Sequence, residues 1–162
     1  MSPITSWTRR HRLAAFFGLT FLFTWWSWPL WALDLMAVAH WPIGPLLAAL
    51  VVIGVTDGGP GYRELGARMI RWRVGWPMWL FALGTPFAVL AVASAANVAL
   101  FGAPVPQLAG MAWGSIALVF ASRFVDPLDG ALGEEPGWRG YALPQLQARR
   151  SPLASATILG GF

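Results

Sequence analysis

Charged residues divide this chain into uncharged runs of membrane length. Arg9, Arg10 and Arg12 precede an uncharged run from Leu13 to Leu33, 21 residues closed by Asp34. A helix needs roughly 20 apolar residues to cross a bilayer. A second uncharged run goes from Leu35 to Thr56 and contains Pro42 and Pro45. Its stretch "HWPIGPLLAALVVIGVT" predicts a helix entering near His40 and leaving at Thr56. "DGGPGYRELGARMIRWR" follows, a polar turn leading into an arginine-rich stretch. From Val74 to Ser122 there is no charge over 49 residues, too long for one span. The two prolines and the glycine of "FGAPVPQ", Phe101 to Gln107, would break a continuing helix. The run therefore predicts two spans, Trp76 to Leu100 and Leu108 to Phe124. After a charged segment, "SPLASATILGGF" opens another apolar run with ten residues beyond Pro152. Ten helical residues rise about 15 Å, half a bilayer core. The expected fold is all-α: a polytopic helical membrane protein with four transmembrane spans and the start of a fifth, in a single membrane domain over residues 1–162.

Composition points the same way. Of the 162 residues, 57% are hydrophobic and 11% charged, against about 25% charged in soluble domains. The 11 Trp suit interfacial belts at span ends. The clusters Trp25, Trp26, Trp28, Trp31 and Trp72, Trp76, Trp79 are read as such anchors. "GLTFLFTWW" and "AVASAANVAL" supply small residues for close helix packing. With no Cys, disulfide and thiolate chemistry are excluded.

The net charge is +4, and every basic residue is Arg. A basic balance suits nucleic acid or anionic membrane. Here the arginines flank apolar runs and line no polar domain, so the expected partner is the lipid bilayer and not nucleic acid. Arginines occur before the first run, between the second and third (Arg63, Arg68, Arg71, Arg73), and after the fourth. The positive-inside rule then predicts a multi-pass cell-membrane protein with a cytoplasmic N-terminus. "YRELGARMIRWR" reads as a basic amphipathic segment lying on the cytoplasmic face. "AVA" at Ala37 to Ala39 resembles a signal cleavage site, but the apolar run before it exceeds the roughly 7–15 residues of a signal core. An uncleaved first span is expected.

The segment "GEEPGWRGYALPQL", Gly133 to Leu146, carries the candidate chemistry. Glu135 and Arg139 are four apart, on one helical face and in the favourable order for an ion pair. Glu134 lies about 100° further round. In that geometry Arg139 keeps Glu135 ionised, whereas Glu134, without a cation near an apolar bundle, has its pKa raised and suits a general base. Pro136 complicates the picture, because it disfavours helix at the residue before it and suits a first helical turn. A helix starting at Pro136 would put both carboxylates at its positive end and weaken the Glu135–Arg139 pair. The sequence leaves both geometries open. It also leaves open whether 126–150 lies in water or at membrane depth, where ionisable groups mark function.

"EEPGWRG" fits the pattern Glu-Glu-x-x-x-Arg, and "GEEPGWRGYALPQLQARRSPLASATILGGF" resembles the first motif region of the CPBP intramembrane protease family. That family includes the CAAX prenyl endopeptidases and bacterial proteins of bacteriocin processing and immunity, and is also called the abortive-infection family. "GPLLAALVVIGVTDGGPGYRELGARMIRWRVGW" is similar to the family's second span and basic loop, so the resemblance covers roughly Ile43 to Phe162. It implies an endopeptidase acting on a peptide or protein substrate, with water activated by Glu134 and the site supported by Glu135 and Arg139. In the complete family enzyme it implies histidine motifs on later spans and a divalent metal such as zinc. Those motifs are absent here: the two histidines, His11 and His40, lie upstream and read as interfacial. The resemblance thus makes the chain an N-terminal portion of a protease domain, incomplete and inactive by itself. The alternative is a non-catalytic membrane protein of the same fold, in partner binding or bacteriocin immunity.

Overall fold

Proline opens most of the helices, as expected where the first N–H groups have no partner to lose. The computed structural model describes residues 3–71, 73–104, 112–123, 125, 126, 128 and 131–161, and every regular element within them is helical. The helices are α1 (Pro3–Arg10), α2 (Arg12–Trp25), α3 (Trp28–Ala32), α4 (Gly44–Thr56), α5 (Gly59–Met69), α6 (Trp76–Phe101), α7 (Trp113–Ser122), α8 (Ala131–Glu135), α9 (Leu143–Gln147) and α10 (Pro152–Gly160), with a π-helical segment, Pro136–Ala142, joining α8 to α9. The chain divides into two compact units, residues 1–70 with 118–162 and residues 71–117.

In the first unit α4 is the central post. It carries no charge and buries Ala48, Ala49, Val52 and Ile53. Small residues let neighbouring backbones come close. At Gly44 an added Cβ would run into Thr24 of α2, and at Gly137 it would run into the Pro45 backbone. Phe16 of α2 is 0% exposed. Its ring meets Trp138 edge-on at 5.5 Å and Tyr141 at 5.2 Å between centroids. Leu65 brings α5 into the same core.

Polar ties join elements that the sequence keeps far apart. Arg12 Nη1 meets Asp57 Oδ2 at 2.8 Å, linking the start of α2 to the end of α4. Thr56 Oγ1 donates towards the same carboxylate at 2.8 Å. Gly58, at φ 62°, turns the chain from α4 into α5, and Tyr62 then donates to the Leu50 carbonyl at 2.9 Å. The arginine-rich segment expected on the membrane face forms α5.

The second unit contains α6, 26 residues with none buried. It ends at Gly102, whose left-handed φ of 62° suits glycine and whose N–H caps the Val98 carbonyl. The expected third span, Trp76 to Leu100, therefore matches its helix to within one residue.

Among the described residues, two helices are long and apolar enough to cross a membrane: Arg12–Ala32, which joins α2 and α3, and Trp76–Phe101. The expected second span is shorter than its uncharged run. Pro42 and Pro45 delay the helix to Gly44, leaving 13 residues, about 20 Å of rise against a core of about 30 Å. The expected fourth span contains α7, of 10 residues. Its expected ends, from Leu108 and to Phe124, lie outside the described residues, as do Trp72 of the second Trp cluster, the last three residues of the "FGAPVPQ" break and Phe162.

Candidate functional site

The helix that carries the motif begins before Pro136. Residues Ala131–Glu135 form its first turn, and the chain then widens into the π segment instead of breaking. The Leu143 N–H bonds the Trp138 carbonyl five residues back, the π pattern. Pro136 has no N–H to give, and the wider turn absorbs that loss. Pro144 likewise cannot donate to Gly140, four residues before it. Arg68 of α5 supplies a donor instead: its Nη1 reaches the Gly140 carbonyl at 2.8 Å while Nη2 holds Glu64 at 2.6 Å. The basic loop thereby props the motif helix.

Of the two geometries open in the sequence, the paired one is present. Arg139 Nη1 donates to Glu135 Oε1 at 2.7 Å. The carboxylates differ in surroundings. Glu134 is exposed, whereas the Glu135 side chain is about one-third exposed, with its second oxygen, Oε2, buried and without a hydrogen-bond partner.

Burial pushes the Glu135 carboxyl above the usual carboxylate range, and the neighbouring charge of Glu134 adds to the push. Arg139 opposes both, by charge and by its hydrogen bond, without cancelling them. Taking the group out of water thus outweighs the pull of the largely exposed Arg139 guanidinium. An acid holding its proton to higher pH, beside a second and exposed carboxyl, is the kind of asymmetry by which paired carboxyls divide acid and base work.

Glu134, Glu135 and Arg139 line one cavity of about 520 Å³. Trp138 and His40 share it, and α2 contributes Thr20 and Thr24. The hydroxyl oxygens of both threonines are buried without partners, as is Glu135 Oε2. Buried polar atoms are normally hydrogen-bonded, so residues lining this cavity carry three polar atoms with unused hydrogen-bonding capacity. Neither carboxyl belongs to a membrane-length helix.

Sequence reasoning singled out the two glutamates and the arginine but not Thr20 and Thr24. The available signal was a pair of hydroxyls four apart, and so on one face, in an otherwise apolar span. His40, read as interfacial, lies against Trp25 with the rings tilted and their centroids 6.0 Å apart, and borders the cavity. Among the described residues no three His, Cys, Asp or Glu side chains cluster to hold a metal ion. The residues present therefore do not fit the divalent metal implied by the family resemblance, and no step is derived through one. No known protein family, curated protein or solved structure matches the chain.

Proposed function

We propose that this chain is the Glu-Glu-Arg portion of a membrane endopeptidase of the CPBP type, hydrolysing a peptide bond with carboxylate-activated water. In this reading Glu134 is the base that takes the proton of the attacking water, and Glu135 and Arg139 hold the site. The observation that carries it is the shared cavity, lined by Glu134, by an ion-paired Glu135 whose Oε2 is buried and unpartnered, and by Thr20 and Thr24. The finer membrane topology belongs to the same proposal: four spans and the start of a fifth, with the N-terminus, α5 and the motif helix on the cytoplasmic side. It is supported by the gathering of Arg9, Arg10, Arg12, Arg68 and Arg149 around a single cavity.

A second reading is favoured by one observation. The sequence has only His11 and His40, and no three-donor cluster occurs among the described residues. A non-catalytic protein of the same fold, binding a partner or conferring bacteriocin immunity, needs neither. Peptide hydrolysis by membranes carrying the native gene product separates the two. The protease reading expects turnover lost on Glu134→Ala and on Glu135→Ala and retained on Arg63→Ala. Turnover that survives both glutamate substitutions would sink the catalytic assignment, and its absence from the native product would favour the partner-binding reading.

A further inference from the structure

A second cavity, of about 640 Å³, opens on the opposite flank of the motif helix, where α1, the start of α2, α5 and the end of α9 converge. Its wall carries five arginines against two carboxylates. Both carboxylates are already engaged, Asp57 by Arg12 at 2.8 Å and Glu64 by Arg68 at 2.6 Å. Three guanidiniums, those of Arg9, Arg10 and Arg149, face this space with no ion pair among the described residues. Three like charges gathered from two separate helix ends repel one another. Such a gathering is offset when an anion enters between them.

We infer that this cavity binds a phosphate-bearing anion. The number and kind of donors select the ligand. A carboxylate offers one charge and two oxygens, enough for one guanidinium fork. A phosphate monoester or diphosphate offers two or more charges and at least three oxygens, enough to engage several forks at once. The hydroxyl of Tyr141, buried on the same wall beside Gln145 but without a well-formed hydrogen bond to it, supplies a neutral donor. The volume falls within the range of small-molecule sites. The phosphate has two chemical sources, a lipid headgroup and a soluble phosphate compound. The apolar residues Ile4 and Trp7 are exposed on α1, the helix that carries Arg9 and Arg10, which favours the lipid source. This inference is independent of the protease reading, since it uses neither Glu134 nor Glu135.

The test uses the full chain in phosphatidylcholine nanodiscs. Binding is titrated with inorganic diphosphate and, separately, by mixing phosphatidic acid into the discs. The double variant Arg10→Gln, Arg149→Gln should weaken phosphate binding by about ten-fold or more, in line with the loss of charge-assisted contacts. Arg63→Gln, on an exposed residue outside the cavity, should change it by less than about two-fold on the same scale. Saturable binding of diphosphate identifies a soluble ligand, and a response to phosphatidic acid alone identifies a lipid headgroup. Either supports the site. If neither anion binds, or if Arg63→Gln weakens binding as much as the double variant, the inference is overturned. Should the double variant lose its thermal transition, Arg149→Gln alone carries the comparison, because Arg149 is exposed and its removal spares the core.

Discussion

α4 and α6 are both uncharged, both begin with proline in the first turn, and both are apolar on every face. Their fates are opposite. α4 has 13 residues and packs against α2, α5 and the motif helix, leaving Leu47 and Val51 exposed on its other side. α6 has 26 residues and buries none of them. A helix that is apolar all round belongs inside a protein core or inside a bilayer; α4 buries one side within the first unit, and α6 is long and apolar enough for a bilayer. Length separates them: α6 exceeds the membrane thickness, and α4 falls short of it.

The widest separation should come from one substitution placed in each helix. Val52→Asp puts an unpartnered carboxyl where exposure is 0%. It should cost at least about 3–5 kcal/mol and remove the thermal transition of the detergent-purified protein. Leu90→Asp, near the middle of α6, should leave that transition in place and instead cost about 2.5–3.5 kcal/mol of membrane insertion. Glycosylation-site mapping of insertion would read the loss. Normal insertion of Leu90→Asp would mean that α6 is not a span.

Aromatic truncation repeats the contrast at smaller scale. Phe16→Ala should destabilise by about 3–5 kcal/mol, whereas Phe87→Ala, on exposed α6, should stay within about 0.5 kcal/mol, both read by thermal unfolding. Gly137→Ala probes how closely α4 is approached. Its methyl would meet the Pro45 backbone, and overpacking of this kind costs about 1–3 kcal/mol. Unchanged stability would mean that the motif helix can back away from α4.

The smallest effect is a pH slope. Burial holds the folded-state pKa of Glu135 above the ordinary carboxylate range, so the folded protein keeps this proton after the unfolded chain has released it. By linkage, stability falls as pH rises from the unfolded pKa through the folded one. Glu135→Gln should flatten that part of the profile, and Arg139→Gln should steepen it. Identical profiles for the wild type and Glu135→Gln would show that burial of this carboxyl carries no weight.

Much of the helical layout was legible in the sequence because charge and proline act locally. Gly102 stops α6, and Arg12 and Asp34 bracket the first long helix. The Glu135–Arg139 pair was legible too, being one turn apart. The length of α4 was less so, since uncharged residues before Gly44 are compatible with helix or loop, and tertiary contact decides, as when the Trp41 N–H bonds the Thr24 carbonyl at 2.9 Å. The passage of the helix through Pro136 was also hidden, because a proline rule that is sound for α geometry does not foresee a π turn. Arg12–Asp57 and Arg68–Gly140 join residues 45 and 72 positions apart. No local pattern announces such partners. Thr20 and Thr24 looked like packing residues until the fold set them beside Glu135.

The π segment has a consequence for how this stretch can vary. Its wider turn holds more residues than an α turn, and each residue of an α-helix accounts for about 100° of rotation. Deleting one residue between Pro136 and Ala142 would narrow the π turn to an α turn, which takes up most of the lost rotation. Leu146, now 5% exposed, would keep roughly its present facing. Deleting a residue from an α turn next to the segment would instead swing it by about 100°. The wide turn is thus the place where this stretch can lose a residue without uncoupling the carboxyls from the core that holds them.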